Sequence, residues 1–170
     1  MFDKNNFLNY AENVFIKILY SIMNDKIDEI DHFVGDNVYL DLEQESLMLA
    51  DNGEKQIYEM PNIKSSSIVT QYAANGFHTI EVKLIARYID YVIDINTGEV
   101  VDGDKKTRGE HEYVLYFYRD LNARELPDVR VCPSCGKTMD INESGKCSYC
   151  GSIYNLEDFW YILDRVDQIS

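Results

Sequence analysis

The sequence predicts an α+β fold: N-terminal helices packed on a curved antiparallel sheet, followed by a small zinc ribbon and a C-terminal helix. Helical spacing of apolar residues dominates the first part of the chain, apolar–polar alternation dominates residues 57–119, and all four cysteines fall within residues 132–150. Helices and strands that are segregated along a chain pack as separate layers. The predicted domains are residues 1–126, with the helices and sheet, and residues 127–170, with the ribbon and last helix.

Three helices are predicted before the sheet. Residues 3–24 repeat apolar side chains at i, i+3 and i+4, with Asp3 as N-cap. Residues 27–34 form a shorter helix that Gly35 ends, and residues 36–51 form a third with a looser apolar face. An apolar stripe must be buried, so we expect these helices to cover one face of the sheet.

The first strands flank a tight turn. Residues 57–60 begin a strand that Pro61 interrupts, and residues 66–74 resume it. Asn75-Gly76 then favours a two-residue hairpin, because both residues tolerate positive φ.

The remaining strands are long and irregular. Residues 77–95 alternate until Tyr88, where the pattern slips and indicates a bulge, and residues 112–119 form a last, aromatic-rich strand. Bent strands curl a sheet, and a curled sheet under a helix forms a cone whose open end is the expected ligand site.

The four cysteines form two C-x-x-C-G motifs, with eleven residues between Cys135 and Cys147. Such motifs bring two thiolates each to one tetrahedral ion, and the following glycine can adopt positive φ. We therefore predict one structural Zn²⁺ per chain, in a closed site without catalytic activity. Iron in a rubredoxin-like site and two disulfides in an oxidising compartment are the alternatives. The predicted ligands are Cys132, Cys135, Cys147 and Cys150.

A final helix is predicted after the ribbon, which spans residues 130–152 and follows a linker over residues 121–131. Asn155 would cap this helix. Its apolar face would consist of Phe159, Trp160, Ile162, Leu163 and Val166.

The charge of the chain argues against several classes of partner. Thirty acidic residues against sixteen basic ones give a net charge of −14, and the ribbon itself is neutral. Such a chain repels nucleic acid and anionic lipid. Neither a signal peptide nor an apolar run long enough to span a bilayer is visible, so a cytoplasmic location is expected.

Several segments together resemble a known family. They are residues 91–103, the strand over residues 112–119, the two cysteine motifs with their flanks, and the Phe159-Trp160 pair. The chain resembles bacterial zinc-ribbon proteins with a Tim-forty-four-like domain, a domain named for a subunit of the mitochondrial inner-membrane import motor. The resemblance implies a cystatin-like, nuclear-transport-factor-two-like fold and no settled activity. The mitochondrial relative is an adaptor for a chaperone.

The expected function is a non-catalytic binding or adaptor module, with a protein, peptide or small apolar ligand held in the cone. The alternative is an enzyme that uses acid–base residues of the cone. Catalysis of that kind needs titratable groups that converge, so a carboxylate and a histidine at hydrogen-bond distance would favour it. The candidates are His78, Asp90, Glu110, His111 and Glu112.

Overall fold

The protein is described by a computed structural model over residues 3–31, 33–122, 129–131, 138–140, 149–151 and 161–170. Helices come first and an antiparallel sheet follows, which confirms the predicted α+β class. The elements are α1 (Lys4–Met23), a 3₁₀ helix (Ile27–Ile30), α2 (Asp36–Asp51), β1 (Glu54–Ala74), β2 (Phe77–Asp94), β3 (Val100–Gly103), β4 (Gly109–Asp120), β5 (Val129–Val131), β6 (Thr138–Asp140) and β7 (Ile162–Gln168).

The helices lie close to where their periodicity predicts them. The Asp3 carboxylate accepts the backbone N–H groups of Asn5 and Asn6 at 2.9 and 3.0 Å, which caps α1. The second predicted helix is shorter, a single 3₁₀ turn. The N-cap of α2 is Gly35.

The main sheet has the strand order β1-β2-β4-β7, with β3 beside the end of β2. All neighbouring strands are antiparallel. The predicted hairpin joins β1 and β2, with φ of 55° at Asn75 and 83° at Gly76. Positive φ at both positions is the signature of a type I′ turn, whose twist matches that of the strands.

Pro61 bends β1 without ending it. Met60 and Pro61 together lie opposite the single residue Tyr88, so the pairing shifts there. Met60 has φ of 50°, a conformation that few residues other than glycine adopt. The slip predicted at Tyr88 is therefore a bulge whose extra residue lies in β1, the partner strand.

The core lies between α1 and the inner face of β2 and β4. The alternate residues of these strands that face the helices are fully buried, and Phe7 of α1 packs edge-on against Phe117 and Tyr161 at centroid distances of 5.4 and 5.1 Å. Aromatic contacts of this geometry add to the burial of apolar area. The strand residues with 0% exposure are Ile80, Val82, Leu84, Ala86, Leu115 and Phe117.

The predicted C-terminal helix is wrong where the structure describes it, because Ile162–Gln168 form β7 and pair with β4. Leu163 lies opposite Phe117 and Val166 opposite Leu115, with Asp164 as an extra, bulged residue between them. Two apolar residues three apart thus face the same core, which imitates helical spacing. Residues 155–160 of the predicted helix, including Trp160, lie outside the described residues.

Two backbone hydrogen bonds join β7 to the residues just before α2. The Leu163 N–H donates to the Phe33 carbonyl at 2.9 Å, and the Gly35 N–H donates to the Leu163 carbonyl at 2.8 Å. A Cβ at Gly35 would lie 3.3 Å from Asp164 Oδ1, so the glycine permits this close approach. The last strand of the predicted second domain, residues 127–170, therefore belongs to the sheet of the first.

The chain also forms a small separate hairpin between β4 and β7. Strands β5 and β6 pair antiparallel, with Val129 opposite Asp140 and Val131 opposite Thr138. They bracket residues 132–137, which contain the first C-x-x-C-G motif.

Replacing Leu163 tests the place of β7 in the core. Leu163 is fully buried, so we expect Leu163→Ala to lower the free energy of unfolding by about 3 kcal/mol, through lost burial and a cavity. Denaturant unfolding followed by circular dichroism measures this loss. Leu121→Ala is the matched control, since Leu121 is 55% exposed. Equal stability of the two variants would contradict the assignment of β7 to the sheet.

Candidate functional site

A cleft of about 550 Å³ opens between α1, α2 and the β4–β7 side of the sheet. Clefts of this size that join an apolar floor to a few polar groups are the usual binding sites of proteins. Its walls come from every layer of the fold. The lining residues are Phe15, Ile18, Leu19, Ile22, Asn37, Val38, Asp41, Leu42, Glu45, Tyr58, Tyr113 and residues 164–168.

The floor of the cleft is apolar because two helical stripes converge there. Ile18, Leu19 and Ile22 repeat at i, i+1 and i+4 along α1, and Val38 and Leu42 are four residues apart on α2. All five are buried by the rest of the fold. The same residues that hold the helices on the sheet therefore also form the bottom of the cleft.

The rim of the cleft is acidic. Asp41 and Glu45 lie one turn apart on α2, and Asp164 is the bulged residue of β7 across from them. The one lysine or arginine among the described lining residues is Arg165. Its guanidinium donates to Asp167 with two N···O distances of 2.9 Å, so this charge is already neutralised within β7.

A tyrosine cluster lies on the inner face of the sheet beside the cleft. The Tyr88 and Tyr113 hydroxyls are hydrogen-bonded at 2.5 Å, and the Tyr58 ring meets the Tyr88 ring edge-on at 5.3 Å. Burial raises the pKa of all three phenols, and the negative charge of Glu45 raises the pKa of Tyr58 and Tyr113 further. These side chains are neutral donors and acceptors at every physiological pH.

Glu110 and Glu112, two of the candidate acid–base residues, form ion pairs at the surface. Glu110 lies 2.7 Å from Lys64 Nζ and 3.8 Å from an Arg87 nitrogen. Glu112 lies 2.9 Å from Lys83 Nζ. Lys64 lowers the pKa of Glu110, which keeps this carboxylate charged. Both residues act as surface charges on the described part of the sheet.

The two histidine candidates both contact tyrosines. His78 Nδ1 lies 2.6 Å from the Tyr161 hydroxyl. His111 stacks on Tyr88 with ring centroids 4.2 Å apart, and its Nε2 is 3.9 Å from Asp90 Oδ1. A hydrogen bond needs a shorter distance, so Asp90 and His111 are neighbours without being bonded.

Sequence patterns missed one wall of the cleft. Residues 164–168 all line it, but their assignment to a helix in a second domain placed them elsewhere. Tyr58 was assigned to a strand without a role. The signal that could have found β7 is its alternation of Arg165 and Asp167 on one face with Val166 and Gln168 on the other, which is strand-like once the bulge is allowed for.

Three of the four predicted metal ligands, Cys132, Cys135 and Cys147, lie outside the described residues. Cys150 is described, is exposed, and lies in a turn that Gly151 follows with φ of 73°. Within the described residues, no three His, Cys, Asp or Glu side chains are grouped to hold a metal ion. The zinc site is therefore still a prediction.

In the described part of the chain, none of the helices combines the length and the apolar character needed to cross a bilayer.

Comparison with known proteins identifies a family for most of the chain. The sequence profile of the Tim44-like domain matches residues 1–129. No curated protein matches the chain significantly.

Among solved structures, one has a similar fold and a second is a weaker match. The intermembrane space region of the chloroplast protein ARC6 is 9% identical, with 99% of this chain and 97% of that chain covered and a TM-score of 0.53. A periplasmic fragment of TraM is 11% identical, with coverage of 70% and 85% and a TM-score of 0.47. The predicted cytoplasmic location stays a prediction.

The buried tyrosines predict how stability depends on alkaline pH. A phenol whose pKa is raised in the folded state stabilises the fold below its unfolded pKa of about 10 and loses that contribution as pH rises above it. We expect the free energy of unfolding to fall between pH 10 and the raised folded value. In Tyr88→Phe the slope should be shallower by about 1.4 kcal/mol per pH unit.

Chemical denaturation at a series of pH values measures this slope. Tyr72→Phe is the control, because Tyr72 is 48% exposed and should leave the slope as in the wild type. A slope unchanged by Tyr88→Phe would show that Tyr88 ionises as readily in the folded chain as in the unfolded one.

Proposed function

The chain belongs to the Tim44-like domain family, and from this membership and the cleft we propose that it is a non-catalytic protein-binding module. The partner docks in the cleft between α1, α2 and β7. The observation that carries the proposal is the cleft itself, which combines an apolar floor with a polar rim. This combination is typical of sites that hold side chains of another protein.

The arrangement of the acid–base candidates supports binding over catalysis. Glu110 and Glu112 pair with surface cations. Asp90 and His111 approach each other only to 3.9 Å. A general base must lie within hydrogen-bond reach of the group it serves or be oriented by a partner at that distance. The adaptor role that the family resemblance implies agrees with this arrangement.

A small, wholly apolar ligand fits the cleft less well than a protein segment does. Filling the cleft with hydrocarbon would cover Asp41, Glu45 and Asp164 without giving them partners, and burying an unpaired carboxylate is costly. A protein segment can fill the floor with apolar side chains and satisfy the rim with polar ones.

Photo-crosslinking tests the docking site directly. A photoreactive amino acid at Asn37, an exposed residue of the cleft, should form a covalent adduct with a protein partner in the cells that produce the chain. The same amino acid at Thr97, in the exposed turn after β2, is the control and should form none. Gel electrophoresis and mass spectrometry detect the adduct. Equal adduct formation at both positions, or no protein adduct at Asn37, would refute the proposal.

We also propose that Cys132, Cys135, Cys147 and Cys150 hold one structural Zn²⁺. Two described features fit such a site: β5 and β6 form a hairpin around the first motif, and Gly151 has the positive φ expected of a glycine after a cysteine pair. Zinc would supply a fixed cross-link between the two motifs, with four thiolates and no open position for chemistry.

Elemental analysis tests the metal. Protein purified without chelator should contain one zinc per chain, and Cys147→Ser should lose it, because three thiolates bind the ion far more weakly. Ser148→Ala, a change at the adjacent position, should retain it. Iron in place of zinc, or two disulfides and no metal by mass spectrometry, would establish one of the alternatives instead.

A further inference from the structure

The charged side chains of α2 are all acidic. Its sixteen residues include five carboxylates and neither a lysine nor an arginine. Two of the five, Asp41 and Glu45, line the cleft, and Met48 continues the same face one turn further with 65% exposure. The helix thus presents an acidic and partly apolar surface to whatever occupies the cleft. The five acidic residues are Asp36, Asp41, Glu43, Glu45 and Asp51.

Glu45 has no cationic partner among the described residues. One side of the residue is open to solvent, while the protein around its carboxyl partly desolvates it and raises its pKa. The negative charge of Glu45 also acts on two tyrosines of the sheet, because it raises the pKa of Tyr58 and Tyr113. An incoming ammonium or guanidinium group would pair with a carboxylate that is already partly stripped of water.

From these observations we propose that the cleft binds a basic, amphipathic segment of a partner protein, with its apolar side chains on the floor and a lysine or arginine against Glu45 and Asp41. The inference rests on the proposed function and names the chemistry of the partner. Arg165 does not compete for these carboxylates, because Asp167 holds it. Among the described residues, the rim therefore offers no unpaired positive charge, and an incoming cationic side chain would supply it.

Charge complementarity decides between this partner and other occupants. An acidic or phosphorylated segment would meet Asp41, Glu45 and Asp164 on a chain with a net charge of −14, and like charges at close range are repelled. A neutral apolar segment would bury the floor and leave the carboxylates unpaired. A segment with both apolar and basic residues satisfies both parts of the cleft.

A pair of synthetic helices tests the inference on the full chain. The first carries leucine at i, i+3, i+4 and i+7 with lysine elsewhere, and its twin carries glutamate in place of every lysine. Fluorescence anisotropy should show binding of the lysine peptide and none of its twin. Added salt should weaken the binding, because the rim charges are exposed.

Two matched variants separate the cleft from the general acidity of the chain. Glu45→Gln should weaken binding of the lysine peptide by about fivefold, the size expected for one partly exposed charge pair. Asp41→Asn, at an exposed residue of the same rim, tests a second carboxylate in the same binding measurement. Glu99→Gln removes one equally negative charge from the distant β2–β3 turn and should leave the affinity unchanged. Circular dichroism confirms that each variant is folded.

The inference is overturned if the lysine peptide fails to bind, if both peptides bind alike, or if Glu99→Gln weakens binding as much as Glu45→Gln does. These results leave the proposed function intact whenever the Asn37 crosslink still captures a protein, because that crosslink reports a docked protein whatever the charge of its segment. Loss of that crosslink is the separate result that removes the proposed function.

Discussion

One apolar layer holds the molecule together, and its centre is Phe7 of α1 against Phe117 of β4 and Tyr161 just before β7. These three rings join the first helix, a central strand and the last strand, which are far apart in sequence. A helix such as α1 has little stability alone, so its packing on the sheet is what fixes it. The cleft lies between α1, α2 and this sheet, and buried residues of the same apolar layer form its floor.

The parts of the fold that sequence patterns predict are those whose signals are local. α1 has an N-cap residue and one apolar stripe, and α2 ends at Asp51, just before Asn52-Gly53. Asn75-Gly76 favours a tight turn, and the chain forms one there. The last strand could not be predicted in this way. A bulge at Asp164 places Leu163 and Val166 on one face, and a spacing of three residues is the local signature of a helix. The alternation over residues 165–168 becomes a strand signal only once this bulge is known, and the bulge follows from pairing with β4, a long-range interaction.

The sequence predicted that a cavity would form, but it did not predict which side chains line the cavity. Helices over long strands indicate a cavity, and the structure contains one. Which side chains converge there depends on strand register, which a single sequence does not determine. His111 therefore stacks on Tyr88 near Asp90 without bonding to it, and Glu110 and Glu112 pair with surface cations instead. The four cysteines are a different case, since their spacing alone carries the zinc prediction.

The place of β7 changes what a zinc ion would do. The cysteine motifs lie between β4 and β7, which are neighbouring strands of one sheet, so both ends of that segment return to the same structure. A cross-link inside a long connection reduces the entropy of the unfolded chain and favours the state in which the ends are together. The ends here include residues 164–168, one wall of the cleft. A structural metal in this segment would thus stabilise this wall of the cleft.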